Sequence, residues 1–159
     1  MIVIGYQGIG KSSLAGRNNR FIDLESGNFW VDGKRADDWY KPYCQIAEHL
    51  SQQGYIVFIS SHEVVRKQLE NSNEIIVVAY PSIDLKDAWI EKLERRYAES
   101  GLEKDYKALM NAKDRYEENI KELIDYCYKC HAHRLALITM SYDLEAALIH
   151  LKNEIDKFW

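Results

Sequence analysis

Short apolar runs alternate with longer stretches of helical periodicity along this chain. Nearly continuous apolar runs are typical of strands that are buried on both faces, and residues 55–60 and 74–80 show this pattern most clearly. Further strands are predicted at 2–4, 20–23 and 134–140. Because strands and helices alternate, the pattern predicts an α/β fold with a mainly parallel sheet.

The segments between these strands carry apolar residues at helical spacing. Residues 39–50 form one such stripe, and Gly54 ends it before the third strand. The longest stripe covers residues 102–127, and because Gly101 precedes it, two consecutive helices are predicted between the fourth and fifth strands. A last helix is predicted over 144–158. Right-handed crossovers then give a doubly wound five-stranded parallel sheet in a three-layer sandwich, with ligands at the carboxyl edge of the strands.

Chain length and net charge limit the classes of protein that this sequence can belong to. The 159 residues are predicted to form a single domain, residues 1–159, with a substantial core. The net charge of −4 disfavours nucleic acid as a partner, because phosphate neutralisation needs a basic face. No apolar run approaches a membrane span, so no membrane partner is expected. Three cysteines, an odd number, favour a reducing cytoplasmic location over a disulfide framework.

Residues 5–12 read Gly-Tyr-Gln-Gly-Ile-Gly-Lys-Ser, a complete G-x-x-x-x-G-K-S phosphate-binding motif. Gly8 and Gly10 allow a tight turn, and a helix begins at Lys11, so loop amides and the helix dipole point at one anion. Lys11 is expected to reach the β- and γ-phosphates of ATP, and the Ser12 hydroxyl to ligate Mg²⁺. The alternative is a glycine-rich turn that binds nothing. The predicted nucleotide-binding residues are Gly5, Gln7, Gly8, Ile9, Gly10, Lys11, Ser12 and Ser13.

Two carboxylates, Asp23 and Glu25, follow the second predicted strand. Strand alternation places both on one side of the chain, at the sheet edge near the phosphate loop. Asp23 is predicted to hold Mg²⁺ or its waters, and Glu25 to orient an acceptor. The alternative is that Asp23 caps a turn and Glu25 lies on the surface.

The third strand ends in Ser60-Ser61-His62, where an ordinary phosphate-loop hydrolase carries a Walker B carboxylate that this chain lacks. His62 is therefore a candidate contact to substrate or to a Mg²⁺-bound water, whereas Ser61 is better explained as a helix N-cap. Arg66, one turn further along, is predicted either to bind an anionic substrate or to be a solvated helix cation.

Phosphoryl transfer develops negative charge on the transferred group, so a cation is expected to cover it. Arg95 and Arg96 are the main candidates, with Arg115 further along, and the helices flanking Gly101 are predicted to bring them in as a flap. Neighbouring positions lie about 100° apart on a helix, so Arg95 and Arg96 are not expected to face one site together. The alternative is a solvated face of acidic and basic pairs.

Two other groups admit both a structural and a functional interpretation. The first has zinc-ligand residue types but is more simply a helix end, because its ligands fall within seven residues: Cys127, Cys130, His131 and His133. The second is aromatic and either stacks on a base or belongs to the core; its members are Trp30, Trp39, Tyr40 and Tyr43.

The phosphate loop, the Asp-x-Glu at 23–25 and the missing Walker B acid together resemble the nucleoside monophosphate kinase superfamily, which includes adenylate, guanylate, shikimate and gluconate kinases. Residues 21–26, 60–66 and 80–87 are more specifically similar to small phage-encoded (deoxy)nucleoside monophosphate kinases, for which a host cytosol is the expected location. The Gly-Phe-Pro-Arg type segment of adenylate kinase is missing, and Glu25 stands where shikimate kinase has a second Asp.

The resemblance implies a phosphate-loop kinase domain with two regions around the nucleotide. An acceptor-binding region follows the second strand, at about 26–53, and the resemblance assigns both Glu25 and Trp30 to the acceptor side. A lid over ATP covers about 90–118. The lid cations implied by the resemblance are Lys92, Arg95 and Arg96.

The leading hypothesis is ATP-dependent phosphoryl transfer to a small acceptor, a (deoxy)nucleoside monophosphate, which gives the diphosphate and ADP. The predicted catalytic residues are Lys11, Asp23, Arg95 and Arg96. The predicted cofactor is Mg²⁺, held by Ser12 and Asp23. The predicted acceptor-binding residues are Glu25, Trp30, His62 and Arg66. One alternative is a kinase of a hydroxylated metabolite, and another is a regulatory nucleotide-binding module without transfer activity. The expected partner is a small-molecule nucleotide, and the sequence leaves open a monomer or a homodimer.

Overall fold

The computed structural model describes residues 1–158, and Trp159 lies outside the described residues. Its strands are β1 Ile2–Gly5, β2 Phe21–Asp23, β3 Ile56–Ile59, β4 Ile76–Pro81 and β5 His133–Leu137. Its helices are α1 Lys11–Arg17, α2 Tyr40–Gln52, α3 Glu63–Gln68, α4 Lys86–Ser100, α5 Glu103–Cys130 and α6 Leu144–Asp156. Short 3-10 helices cover Ser26–Phe29 and Ile83–Leu85.

All five strands belong to one parallel sheet with the order β2-β3-β1-β4-β5. The chain runs from β1 outward to β2, returns to β3, and then crosses to β4 on the other side of β1. This change of direction opens a crevice at the carboxyl ends of the strands. The predicted α/β fold with a five-stranded parallel sheet is confirmed, and the six helices of residues 1–158 are compatible with a three-layer sandwich.

The three central strands, β1, β3 and β4, are buried at every position, which requires cover on both faces of the sheet. Helix α2 packs near β1 and β3, and α5 packs near β4 and β5. The largest fully buried side chains include Trp89, Tyr43 and Tyr116. Within residues 1–158 no helix is both long and apolar enough to cross a membrane.

The last strand is shorter than its apolar pattern predicts. β5 ends at Leu137, and Ile138 is 75% exposed. The amide of Ser82 donates the final hydrogen bond to Leu137 O, at 2.9 Å, just after β4 itself has ended. Because β5 is an edge strand with β4 as its one neighbour, it stops where β4 stops.

The predicted pair of helices between β4 and β5 is confirmed. Gly101 has a φ of +62° and ends α4, with its amide 2.8 Å from Tyr97 O. Helix α5 contains one break that the sequence pattern did not indicate, at Arg115, where φ is −139°. The predicted lid region, 90–118, thus comprises most of α4 and α5 up to this break, and the predicted acceptor region, 26–53, comprises the first 3-10 helix and α2.

Candidate functional site

The phosphate-binding motif forms the turn between β1 and α1. Gly8 and Gly10 have φ values of +86° and +103°, in the region that residues with a Cβ rarely adopt. Gly10 directly precedes the first residue of α1, so the helix begins at Lys11 as the sequence predicts. The loop therefore has the left-handed turns that a backbone anion cradle needs.

Two side chains from outside the motif hold the carbonyl groups of this loop. Trp89 Nε1 donates to Gln7 O at 3.0 Å, and the Tyr142 hydroxyl donates to Ile9 O at 2.9 Å. A planar trans peptide directs its C=O and N–H to opposite sides. The amides of Gly8 and Gly10, which share those peptides, therefore point away from Trp89 and Tyr142.

Lys92 joins these two rings. Its Nζ lies 4.4 Å from the Trp89 ring centroid and 5.0 Å from that of Tyr142, and it donates to the Tyr142 hydroxyl at 2.8 Å. The two rings are stacked, with centroids 6.0 Å apart. Burial, with a smaller effect of Arg96, lowers the pKa of Lys92. Lys92 thus supports the loop from α4, because it bonds to the Tyr142 hydroxyl that holds Ile9 O.

Lys11 places its ammonium against the loop that it follows. Its Nζ donates to Gly5 O at 2.9 Å, and the residue is partly buried. Burial lowers the pKa of Lys11 below its ordinary value, Asp23 and Glu25 oppose that shift, and Arg96 adds to it. These charges therefore converge on Lys11 from β2, the chain after β2, and α4.

Ser12 and Asp23 are brought into direct contact. The Ser12 hydroxyl donates to Asp23 Oδ2 at 2.6 Å. Hydroxyl and carboxylate oxygens are the ligand types that Mg²⁺ prefers, and Mg²⁺ usually keeps waters and substrate phosphates in its shell. Ser12 and Asp23 therefore fit a magnesium site that is completed by a bound nucleotide and water.

The alternative zinc site is not formed. Within residues 1–158 no three His, Cys, Asp or Glu side chains are grouped so that they could hold a metal ion. Cys127 and Cys130 lie in the last turn of α5, His131 caps that helix with a φ of +53°, and His133 begins β5. The residues of the segment 127–133 thus have the simpler role of a helix end.

The acceptor-side prediction missed Arg35. Its guanidinium carbon lies 4.2 Å from the Trp39 ring centroid and 5.0 Å from that of Trp30. Arg35 Nη2 donates to Ser26 Oγ at 3.4 Å, and its buried Nε has no hydrogen-bond partner among residues 1–158. The sequence signal was the position of an arginine between two tryptophans in the predicted acceptor region.

His62 belongs to the same side of the site. Its ring lies edge-on to Trp39, with centroids 5.8 Å apart. Burial is the main cause that lowers the pKa of His62, and the charges of Arg35 and Lys11 lower it further. The imidazole is therefore mainly neutral near pH 7, so it can accept a hydrogen bond from a ligand.

Arg66 is engaged by α5. Its Nη1 donates to Glu122 O at 3.2 Å, its Nη2 lies 3.4 Å from Glu122 Oε2, and its guanidinium lies over the Tyr126 ring. Arg66 is buried. These contacts connect α3 to α5, and the burial of Arg66 contradicts the solvated helix cation that the sequence offered as one alternative, whereas a contact with an anionic substrate stays a prediction.

The two lid arginines differ in their surroundings. Arg96 Nη2 lies 2.8 Å from the buried Asp105 Oδ1, and Ser100 also donates to Asp105. Both arginines are exposed, but Arg96 lies close enough to Lys11 to lower its pKa, whereas Arg95 is not among the charges that shift it. Of the predicted pair, Arg96 is thus the one on the loop side of α4.

The first half of α5 also touches the phosphate loop. Gln7 Nε2 donates to Ala108 O at 2.8 Å and lies 3.3 Å from Asn111 Oδ1. Lys104 Nζ lies 3.9 Å from Glu25 Oε1. These contacts place the first half of α5 beside the loop, with Lys104 near the carboxylate that follows β2.

A cavity of about 430 Å³ lies beside the loop on its α6 side. Its lining includes Gly10, Ser13, Arg17, Lys92, Met140 and Tyr142. It borders the start of α1 and carries both cations and apolar side chains.

No family model matches the chain, and no curated protein matches it. A solved structure of an uncharacterized protein from Eubacterium ventriosum ATCC 27560 is similar, with 15% sequence identity and a TM-score of 0.49. The similarity covers 98% of this chain and 97% of that one.

Replacing Gly8 with alanine is expected to destabilise the fold by about 1–2 kcal/mol, because its φ is +86° and L-residues are strained there. The added Cβ would also lie 3.0 Å from Leu93 Cδ2 and 3.3 Å from Trp89 Nε1, which holds Gln7 O. Gly16→Ala is the matched control, since Gly16 lies in α1 with open space around its Cβ position.

Thermal unfolding of the two variants checks this prediction. We expect Gly8→Ala to lower Tm and Gly16→Ala to leave it unchanged or raise it, because alanine is favoured over glycine within a helix. Equal Tm values for Gly8→Ala and the wild type would contradict the strained-turn geometry.

Proposed function

We propose that this protein is an ATP-dependent phosphotransferase of the nucleoside monophosphate kinase type, which transfers the γ-phosphoryl group to a small phosphate-bearing acceptor. The observation that carries the proposal is the partly buried Lys11 ammonium inside the phosphate loop, beside the bonded pair Ser12 and Asp23. The Lys11 ammonium donates to a carbonyl oxygen at a loop of inward amides, and such a cation suits a polyphosphate better than a neutral ligand.

The donor side is supported by the loop and the adjoining cavity. The amides of Gly8 and Gly10 and two of the three Lys11 N–H donors are available to phosphate oxygens, since Gly5 O takes the third. The cavity beside Ser13 and Tyr142 suits the base and sugar of the same nucleotide. One nucleoside triphosphate can therefore extend from the cavity into the loop.

Ser12 and Asp23 are the residues that would hold Mg²⁺. When bound, the ion would neutralise negative charge that develops on the phosphate oxygens. Asp23 also accepts the Ser12 hydrogen bond, which orients the hydroxyl lone pairs. These two side chains thus have a defined role before any ligand arrives.

The acceptor side is supported by Arg35, which has Trp30 and His62 near it and bonds to Ser26, the residue after Glu25. The Arg35 guanidinium lies against both indole rings, and its terminal Nη groups would donate to a planar or tetrahedral oxyanion. Arg35 replaces Arg66 in our assignment of the acceptor cation, because Arg66 is engaged by Glu122.

The reaction itself needs mainly positioning and charge stabilisation, because phosphoryl transfer requires little covalent help from a protein. Lys11 stabilises the phosphates of the donor, and Arg96 is the lid cation nearest to it. An acceptor oxygen that is held in line with the γ-phosphate then attacks, and the β-phosphate oxygen leaves with ADP.

A coupled assay of ADP release tests the proposal. Purified protein is given ATP and Mg²⁺ with a panel of (deoxy)nucleoside monophosphates, shikimate and gluconate. We expect ADP release that depends on one or more of the monophosphates. Release only with shikimate or gluconate would favour the metabolite kinase, and ATP binding without stimulation by any acceptor would favour a non-catalytic module.

Replacing Arg35 with alanine is expected to raise the acceptor KM roughly tenfold to hundredfold, the size of one lost charge-assisted hydrogen bond. The donor KM should stay unchanged, because Arg35 lies on the acceptor side. Steady-state kinetics with each substrate varied in turn measures both values.

Arg134→Ala is the matched control for this variant. Arg134 also lies over an aromatic ring, with its guanidinium carbon 4.9 Å from the Tyr128 centroid, but on β5 at the far edge of the sheet from β2. An acceptor KM that rises equally in both variants, or in neither, would contradict the role of Arg35.

A further inference from the structure

The strands β2 and β3 separate at the point where the candidate carboxylates begin. Their last paired residues are Asp23 and Phe58, and Leu24 N donates to Phe58 O at 2.9 Å. Beyond this bond, the chain after β2 enters a 3-10 helix and the chain after β3 continues to α3. The sheet ladder therefore does not fix the backbone on which Glu25 is carried.

A single hydroxyl group bridges this gap. Tyr43 Oη donates to Leu24 O at 2.7 Å and accepts from Ser60 N at 2.8 Å. Leu24 lies between Asp23 and Glu25, and Ser60 directly follows β3. The Tyr43 hydroxyl thus does for these two chain ends what a ladder hydrogen bond does within the sheet.

Aromatic side chains of the predicted acceptor region fix the position of this hydroxyl. Tyr43 lies in α2 and is fully buried. Its ring packs edge-on against Phe29, with centroids 5.4 Å apart, and lies 5.4 Å from the Trp39 ring. Trp39 in turn carries the Arg35 guanidinium, so one contiguous packed unit joins Arg35 to the backbone between the two carboxylates.

We infer that Tyr43 is a positioning residue, which holds the Leu24 peptide so that Asp23 and Glu25 face the phosphate loop. This inference rests on the proposed function, because it assigns Asp23 to magnesium and Glu25 to the acceptor. Tyr43 does not itself touch substrate. Burial raises the pKa of its hydroxyl, which therefore remains a protonated donor throughout the ordinary pH range.

Tyr43→Phe tests this role, because phenylalanine keeps the ring packing and removes only the oxygen. Ser72→Ala is the control: the Ser72 hydroxyl donates to Glu48 Oε1 at 2.6 Å, just before β4 begins, at the end of the sheet opposite the carboxylates. Both variants lose a hydrogen bond that a hydroxyl group donates, so both are expected to lose some stability.

The distinguishing measurement is calorimetric: the affinity for a non-hydrolysable ATP analogue is measured at a series of Mg²⁺ concentrations. We expect Tyr43→Phe to raise the half-saturating Mg²⁺ concentration about fivefold to tenfold, as for one hydrogen bond lost from a site support. Ser72→Ala should leave this concentration within about twofold of the wild type. In turnover, Tyr43→Phe should also raise the acceptor KM, and Ser72→Ala should not.

The outcomes separate this inference from the proposed function. An equal Mg²⁺ dependence in Tyr43→Phe and Ser72→Ala overturns the positioning role, even if the enzyme is active. Failure of every acceptor to stimulate ADP release in the wild type overturns the proposed transfer reaction, while the Mg²⁺ dependence of donor binding still decides the role of Tyr43.

Discussion

Replacing Lys11 with alanine is expected to lower turnover roughly a thousandfold, the upper range for loss of one charge that stabilises a transition state. Lys11 is the cation that lies within the phosphate loop, with its Nζ 2.9 Å from Gly5 O. A coupled assay at saturating ATP and acceptor measures kcat directly. Because the ammonium also binds the donor in its ground state, the donor KM should rise as well.

The same variant should fold at least as well as the wild type. Burial lowers the pKa of Lys11, so the folded state binds this proton more weakly than the unfolded state does. The charged lysine thus destabilises the fold below its folded-state pKa, and the penalty is relieved as the pH rises from that value to the ordinary one. Removing the ammonium removes the penalty at pH 7.

Lys67→Ala provides the control for Lys11→Ala. Lys67 is exposed in α3, where it pairs with Glu63 at 2.6 Å, one helical turn earlier. Its loss should change neither turnover nor Tm by much, since exposed pairs of this kind contribute little. Unchanged ADP release by Lys11→Ala, or a large fall in its Tm, would contradict the role given to this lysine.

The second large effect is expected for Asp23→Asn, which should lower kcat roughly a hundredfold at physiological Mg²⁺. Asparagine keeps the size of the side chain and can still accept the Ser12 hydrogen bond, so the geometry at 2.6 Å should survive. The change removes the negative charge alone. Turnover measured against Mg²⁺ concentration should show weaker apparent affinity for the ion.

Asp156→Asn is the control for this substitution. Asp156 ends α6 and pairs with Lys152 at 2.6 Å on the surface. It should retain the kcat and the Mg²⁺ dependence of the wild type. If Asp23→Asn behaves in the same way as Asp156→Asn, the magnesium assignment is wrong.

The strands and helices could be predicted because their signals are local. The buried strands β3 and β4 carry nearly continuous apolar runs, and Gly101 separates α4 from α5 as expected. The break at Arg115 could not be predicted, since no proline or glycine marks it. The early end of β5 depends on where β4 ends, which is a property of the sheet and not of the β5 sequence.

The parts of the candidate site that could be predicted are likewise those whose signals are local in the sequence. The loop turns at Gly8 and Gly10 and the start of α1 follow from eight consecutive residues, and the structure has them. The contact between Ser12 and Asp23 follows from strand alternation at a shared sheet edge. These features need only the motif and the order of the elements.

Residues that act through distant contacts escaped the sequence argument. Trp89 and Tyr142 hold loop carbonyls from α4 and from the segment before α6, more than eighty positions along the chain. Arg66 looked like a free cation, but Glu122 of α5 engages it. Spacing along one element gives no information about such partners, because tertiary packing brings them together.

The central claim is that the loop at residues 5–12 grips a triphosphate with Lys11. Isothermal titration calorimetry tests it most directly, with a non-hydrolysable ATP analogue and Mg²⁺ titrated into the wild type and into Lys11→Ala. The account predicts binding to the wild type and a large loss of affinity in Lys11→Ala. Absence of binding to any purine or pyrimidine triphosphate by folded wild-type protein would contradict it.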